Sequence, residues 1–264
     1  MPLIELMKPL THRTLSSDVY EQLKEILISG RMMPGEQLSL RSVAEALGVS
    51  VMPVREAIQR LVAEQALEVG RSRAIRIPIM MENLFREITT IRIHLETLAV
   101  ERASYLLSNS EIDDITKINN EFSREISLAQ PDGGKVVALN KEFHFAIYTA
   151  SRMPVLVQSI EALWLRIGPI LNYDLRSGLP RVGRRPAVDF HAQLVESLRK
   201  HDGAKAKLAL QKDIETAADF IVSAGVLVTP EPEGPGKKSL HSRNKKSSKF
   251  LSKDSGSVAM DPAL

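Results

Sequence analysis

The sequence predicts a mainly α-helical chain, an N-terminal winged helix-turn-helix followed by an all-α antiparallel helical bundle. Three observations point there. Between Leu38 and Leu67, two short runs with helical spacing flank Gly48. Directly after them, two alternating segments flank the basic stretch Gly70-Arg71-Ser72-Arg73. From residue 82 onward, apolar residues recur about every 3.6 positions, interrupted by Pro/Gly breakers and without strand signals.

The front elements follow from local chemistry. Val19 to Arg31 reads as a helix, with Asp18 as its cap and Glu21 three residues on in a capping-box arrangement. Met33-Pro34-Gly35-Glu36-Gln37-Leu38 reads as a turn. Ser39 can cap a short helix carrying Val43, Ala44 and Leu47 on one side. Gly48 then ends it, because the left-handed conformation costs glycine no Cβ clash. Ser50 can cap the next helix, and Pro53 falls in its first turn, where a missing N–H costs little. Val54, Ala57, Ile58 and Leu61 form its core stripe, leaving Arg55 and Gln59 outside. Leu67-Glu68-Val69 and Ala74-Ile75-Arg76-Ile77 then pair as a hairpin with a basic tip. A helix, a Gly-centred turn and a second helix with a polar outer face make a helix-turn-helix that can enter a major groove.

The run VYEQLKEILISGRMMPGEQLSLRSVAEALGVSVMPVREAIQRL resembles the DNA-binding domain of GntR-family transcription regulators. The pieces carrying the likeness are G…PGE.L, AEALGVS and PVREAI..L. The helical region behind it resembles the FCD effector domain of the FadR subfamily, and together the two cover roughly residues 17 to 225. The resemblance implies a winged helix over 17–79 and a helical effector-binding and dimerisation domain of FCD type over 82–226, which leaves an arm over 1–16 and a tail over 229–264. It implies a homodimeric regulator of repressor type that binds operator DNA in the cytoplasm and answers to a small metabolite, a carboxylate. It places DNA contacts at Arg41, at the Ser50-Val51-Met52 entry of the recognition helix, at Arg55, and at Arg71 and Arg73 of the wing. Guanidinium can grip a guanine edge or a phosphate, which agrees with the Arg positions. Val51 departs from the Arg or Lys that many members carry there, so Val51 and Met52 offer only apolar contact, for instance to a thymine methyl.

Charge by itself does not argue for nucleic acid. The formal net charge is +3, and residues 230–264 hold seven Lys/Arg against four acids, so the whole excess lies in the tail. That tail is Pro-, Gly-, Ser- and Lys-rich and lacks the apolar groups to order itself. With 264 residues and 44% hydrophobic content, the chain can bury one large core or two smaller ones. There is no cysteine, which removes disulfides and thiolate chemistry. No uninterrupted apolar run approaches the ~18 residues of a membrane span, and no membrane partner is expected.

In the bundle, helices are expected at about 82–108, 110–129, 134–151, 154–173, 183–201 and 203–225, with Leu84, Ile88, Ile91, Leu95, Leu98 and Leu106 as the stripe of the first. Asn140 and His144 sit one helical turn apart and can point at one spot. In FCD domains that resemble this one, an Asp or Asn, a His one turn on and two later His hold a divalent metal. Carried over, that set is Asn140, His144, His191 and Asp213, with Asp213 standing where the family usually has His. Imidazole, carboxylate and amide together suit zinc, nickel, manganese or iron. Without a metal, the same polar cluster can hydrogen-bond an effector directly. His94, beside Arg92 and Glu96, reads as a hydrogen-bonded core histidine. Arg92 and Arg166 lie in mainly apolar helices and are candidate grips for a carboxylate effector, although Arg92 can equally pair with Glu96. Where the family often has Ser-x-Asn-Pro, this chain has Ser151-Arg152-Met153-Pro154. The alternative from another class is a metal-dependent hydrolase or isomerase with an accessory DNA module, for which no separate general base or nucleophile is visible.

Overall fold

The structure is a computed structural model and describes residues 14–70, 74–171, 173 and 186–229. The first helix, α1 (Leu15–Ile28), begins earlier than Asp18 would have it. Thr14 is the cap, its hydroxyl accepting from Ser17 N, and Asp18 sits in the first turn, where a carboxylate favours the helix dipole. Residues 15 and 16, expected in an arm, are therefore helical. Ser39 caps α2 (Leu40–Leu47) by accepting from Ser42 N, and Gly48 closes it in the left-handed conformation at φ 64°. Ser50 occupies the cap position of α3 (Val51–Ala63) without a side-chain capping bond. Val54, Ala57, Ile58 and Leu61 of α3 are all buried, largely against α1.

The hairpin forms from β2 (Glu68–Val69) and β3 (Ile75–Arg76), in antiparallel register Glu68↔Arg76 and Val69↔Ile75. The sequence gives no sign of a third strand. β1 (Gln37–Leu38), expected as part of a turn, pairs with β3, which makes β3 the central strand. The wing tip with Arg71 and Arg73 lies outside the described residues.

Among the described residues six helices follow: α4 (Glu82–Leu106), α5 (Asn109–Glu125), α6 (Gly133–Ala150), α7 (Pro154–Leu171), α8 (Pro186–Arg199) and α9 (Gly203–Ser223). All six fall where the sequence periodicity puts helices, with ends trimmed by a few residues. α4 packs on α9, α6 and α7, and α5 packs on α6 and α8. Only half of the stripe expected for α4 turns inward, with Ile88 buried and Leu84 and Leu95 half-buried against the core. Ile91, Leu98 and Leu106 are exposed, while Phe85, Arg92, Glu96, Ala99 and Val100 line the interior. His94 is likewise exposed, and its Nδ1 lies 2.7 Å from the Thr90 carbonyl oxygen of its own helix. α7 corrects a further expectation, being long and apolar enough to cross a membrane by composition, with mean hydropathy 1.2. Half of it is buried inside this protein, and it packs on α4 and α1 as a core helix.

The winged helix and the bundle share one continuous hydrophobic core, running from Val19 through Leu61 and Phe85 to Ile221. α1 meets the bundle at three points. Gly168 of α7 lies against the main chain at the end of α1, so close that a Cβ there would sit 2.6 Å from Leu27 O and 2.7 Å from Ile28 Cα. Lys24 of α1, nearly buried, pairs with Glu161 of α7 at 2.9 Å, and Lys141 of α6 pairs with Glu25 of α1 at 2.6 Å. After α9 the chain returns to the connection between the two parts, where Val228 O accepts from Glu82 N at 2.9 Å and Val228 N donates to Met80 O at 3.1 Å. The basic tail predicted beyond residue 229 lies outside the described residues.

Candidate functional site

Two surfaces carry the predicted residues. On the winged helix, Arg41 and Arg55 are exposed and make no ion pair among the described residues. Ser50 is exposed at the start of α3, and Met52, 59% exposed, stands beside it. Val51 differs, since it is half-buried and packs against the hydrophobic core. Of the residues expected to meet DNA, Arg41, Ser50, Met52 and Arg55 are thus the exposed ones among those described.

Inside the bundle, α6, α8 and α9 bring His144, His191 and Asp213 together from distant parts of the chain. The imidazole nitrogens of His144 and His191 and a carboxylate oxygen of Asp213 lie within 4.8 Å of one another, and all three residues are buried. His144 Nε2 is 3.5 Å and His191 Nε2 3.7 Å from the same oxygen, Asp213 Oδ2, which is too far for well-formed hydrogen bonds. Asn140, also buried, lies one turn before His144 on α6. The wall is aromatic: the Phe143 ring stacks on His191 with centroids 4.2 Å apart, and Phe122 lies 4.8 Å away.

The electrostatics follow from that burial. Burial works to raise the Asp213 carboxyl, but the two imidazoles facing it outweigh this and hold it well below the usual carboxylate range. Burial pushes the His191 imidazole down, with Asp213 opposing it. A buried anion facing two imidazoles suits a cation. Both ring nitrogens of His191 are buried without a hydrogen-bond partner, which is costly unless something else satisfies them. A divalent metal bound by His144, His191 and Asp213 fits this donor set, with the Asn140 side chain one turn away.

The two predicted effector arginines part company. Arg92 is buried and engaged by Glu96, with Nε 2.6 Å from Oε1, and its guanidinium lies over the Trp164 ring at 5.0 Å. Of the two roles its sequence position leaves open, the intrahelical pair is the one observed. Arg166 is half-buried on α7. The sequence points to Glu96 only as a partner of Arg92, and to Tyr148 and Trp164 not at all. Tyr148 donates to Glu96 at 2.5 Å and lies 3.3 Å from His144 Nδ1, and Trp164 Nε1 donates to Glu96 at 2.9 Å. Burial and then the nearby Glu96 push the Tyr148 phenol well above its ordinary range. The available signal was spacing alone, since Tyr148 follows His144 by one turn and Glu96 follows Arg92 likewise. A separate cavity of about 400 Å³ lies between α1 and α6, lined by Glu25, Ile26, Ser29, Arg31, Val137 and Lys141 among others.

Comparison with known proteins bears on both parts of the chain. The model of the "Bacterial regulatory proteins, gntR family" matches residues 15–77, and that of the FCD domain matches residues 87–216. The chain belongs to the GntR family. Within it, the FCD domain is consistent with the FadR subfamily. The chain is 34% identical over 193 residues to the Escherichia coli HTH-type transcriptional regulator McbR, spanning 72% of this chain and 85% of that protein. The solved structure of E. coli McbR/YncC superposes with a TM-score of 0.75 at 29% identity, covering 81% of this chain and all of that one. The crystal structure of a GntR-type regulator from Rhodococcus shares the fold at a TM-score of 0.64 and 20% identity, over 79% of this chain and 98% of that one. This GntR-family member is a transcription regulator, and nothing in these likenesses favours the metal-dependent hydrolase or isomerase.

Proposed function

We propose that this regulator represses transcription as a cytoplasmic homodimer, binding a two-fold operator and letting go when a small carboxylate occupies a divalent metal held in the bundle. The observation that carries the metabolite reading is the His144, His191 and Asp213 cluster with its two unpartnered His191 nitrogens. His144, His191 and Asp213 would hold the ion, with Asn140 one turn from His144 as the further oxygen donor of the set. A bound divalent ion supplies a Lewis-acidic position to which a carboxylate or hydroxy acid can attach.

DNA binding rests on the exposed face of α3. Arg55 and Arg41 are the groups able to grip a guanine edge or a phosphate, and Ser50 can meet a phosphate at the helix N-terminus. Arg71 and Arg73 of the wing would lie against the backbone or the minor groove. Dimerisation is supported by α4, where Leu84, Ile91, Leu98 and Tyr105 recur once every two turns along one side. Of these, Ile91, Leu98 and Tyr105 are 40%, 43% and 63% exposed.

Coupling between the two functions has a physical route. The helix that carries Asn140 and His144 also carries Lys141, which holds Glu25 of α1. The helix that carries Arg166 also carries Glu161 and Gly168, both against α1. A ligand that shifts α6 or α7 therefore acts on the scaffold of the recognition helix. Fluorescence anisotropy on a duplex selected from a random-sequence pool tests the whole. Zinc plus a panel of small carboxylates is expected to release the DNA, and removal of zinc by a chelator to abolish that response. Release unaffected by chelation would sink the metal part, and absence of any preferred duplex would sink the operator part.

A further inference from the structure

A chain of buried polar groups runs behind the cluster and ends on one of its imidazoles. Glu96 lies at its centre, completely buried. As a carboxylate, Glu96 only accepts. Oε1 takes Arg92 Nε at 2.6 Å and Trp164 Nε1 at 2.9 Å, while Oε2 takes Tyr148 Oη at 2.5 Å and Arg92 Nη2 at 3.3 Å. A phenol has one proton, and at that distance from a carboxylate oxygen the Tyr148 proton is committed to Glu96. The Tyr148 oxygen then faces His144 Nδ1, 3.3 Å away, with lone pairs only. That approach is attractive when Nδ1 carries the hydrogen and repulsive when it does not. A hydrogen on Nδ1 leaves the lone pair of a neutral imidazole on Nε2. Nε2 is the atom that faces Asp213 Oδ2 at 3.5 Å, the same oxygen that His191 Nε2 approaches at 3.7 Å.

We propose that Glu96 and Tyr148 are positioning residues that fix His144 in its Nδ1–H tautomer, so that the Nε2 lone pair is delivered beside Asp213 and His191 as a metal ligand. The inference rests on the metal reading above and sharpens it, by naming the ligating atom and what selects it. It also gives Arg92 a task other than effector binding. The guanidinium neutralises Glu96, which allows a carboxylate to sit in an apolar interior and orient the phenol. Metal-ligating histidines commonly have their second nitrogen held by such a partner, and losing it weakens metal binding by about 10- to 100-fold.

The test uses the full-length protein with ¹⁵N-labelled histidine, first stripped of metal with a chelator and then loaded with zinc. Two-bond ¹⁵N–¹H correlations identify which nitrogen of His144 bears hydrogen. The expected result is Nδ1–H in the metal-free, neutral imidazole and again with zinc on Nε2. A dominant Nε2–H tautomer without metal, or zinc on Nδ1, would overturn the proposal. Tyr148→Phe keeps the buried ring and removes the acceptor, so calorimetry should show zinc bound about 10- to 100-fold more weakly, with His144 in mixed tautomers. Unchanged affinity and tautomer in that variant would also overturn it. Should the variant fail to fold, the spectrum of the unaltered protein decides the matter without it. An Nδ1–H tautomer in a chain that takes up no zinc would reject the metal site while supporting the orienting role of Tyr148 and Glu96.

Discussion

α3 and α4 are both amphipathic helices that bury apolar side chains, but α4 also buries a charged pair. In α3 the aliphatic stripe Val54, Ala57, Ile58 and Leu61 faces the core, and Arg55, Gln59 and Arg60 face out. In α4 the charged pair Arg92 and Glu96 faces in, while Ile91, Leu98 and Tyr105 face out. The difference teaches that hydrophobic periodicity reports only the total apolar surface a helix must hide, not which neighbour hides it. α3 has one partner surface, the core of its own chain, so pattern and burial agree. α4 has two, a functional interior and an outer face, and its apolar residues divide between them, Phe85, Ile88, Ala99, Val100 and Ala103 inward and Ile91, Leu98 and Tyr105 outward.

That contrast predicts a ranked set of effects. The largest is expected from Glu96→Ala. The substitution strands the Arg92 guanidinium in the interior, which costs about 3–5 kcal/mol, and it also leaves the Tyr148 and Trp164 donors without an acceptor. Glu56→Ala on the exposed side of α3 should stay within about 0.5 kcal/mol. Urea denaturation compares the two, and equal midpoints would erase the distinction between the helices. Next comes Leu61→Ala, a core deletion in α3 expected to cost roughly 2–5 kcal/mol. Leu98→Ala on α4 should leave unfolding of the separated subunit nearly unchanged and lower the self-association constant instead, as read by sedimentation equilibrium. If Leu98→Ala destabilises the monomer as Leu61→Ala does, the outward face of α4 has been misjudged.

Arg55→Ala sharpens the comparison from the DNA side. Melting temperature should hold, while affinity for the selected duplex falls by about 1–3 kcal/mol. A variant with intact affinity would remove Arg55 from the interface. The smallest effect concerns the start of α5. The Ser108 N–H, then the Ser108 hydroxyl and the Arg152 guanidinium, draw the Glu111 carboxyl down to about 2. A depressed acid stabilises above its ordinary value of 4.5 and loses that contribution as pH falls toward 2. Amide protection at Ser108 and Glu111, corrected for the intrinsic pH dependence of exchange, should therefore fall across that window, and a flat profile would argue against the capping box in which Ser108 N donates to Glu111 and Glu111 N to the Ser108 hydroxyl.

Local rules reached the front of the chain well because its elements are set by neighbours in sequence. Ser39, Gly48 and Pro53 each act within one turn of where they stand, and all three helices appear. What failed there was non-local or permissive. β1 exists only because β3 offers it a pairing edge, and Thr14 takes the cap because its hydroxyl accepts from Ser17 N one turn before Asp18. In the bundle, helix positions were legible, and the family resemblance grouped His144 with His191 and Asp213. Their convergence rests on packing among α6, α8 and α9 that no single helix encodes. Glu96 was legible only as the partner of Arg92 one turn away, and its meeting with Tyr148 and Trp164 was not, because the three sit on α4, α6 and α7 and meet only after folding.

Gly168 has a consequence for how such regulators can be recombined. With the backbone of α7 touching that of α1, the junction tolerates no side chain at that point, so the front module cannot be exchanged like a bead on a string. A graft of a foreign reading head would have to bring a first helix whose end matches the Leu27–Ile28 turn, or the glycine would face a gap on one side and a collision on the other. Head and bundle are therefore fitted to each other at a glycine that lies outside both the exposed side of α3 and the His144, His191 and Asp213 cluster.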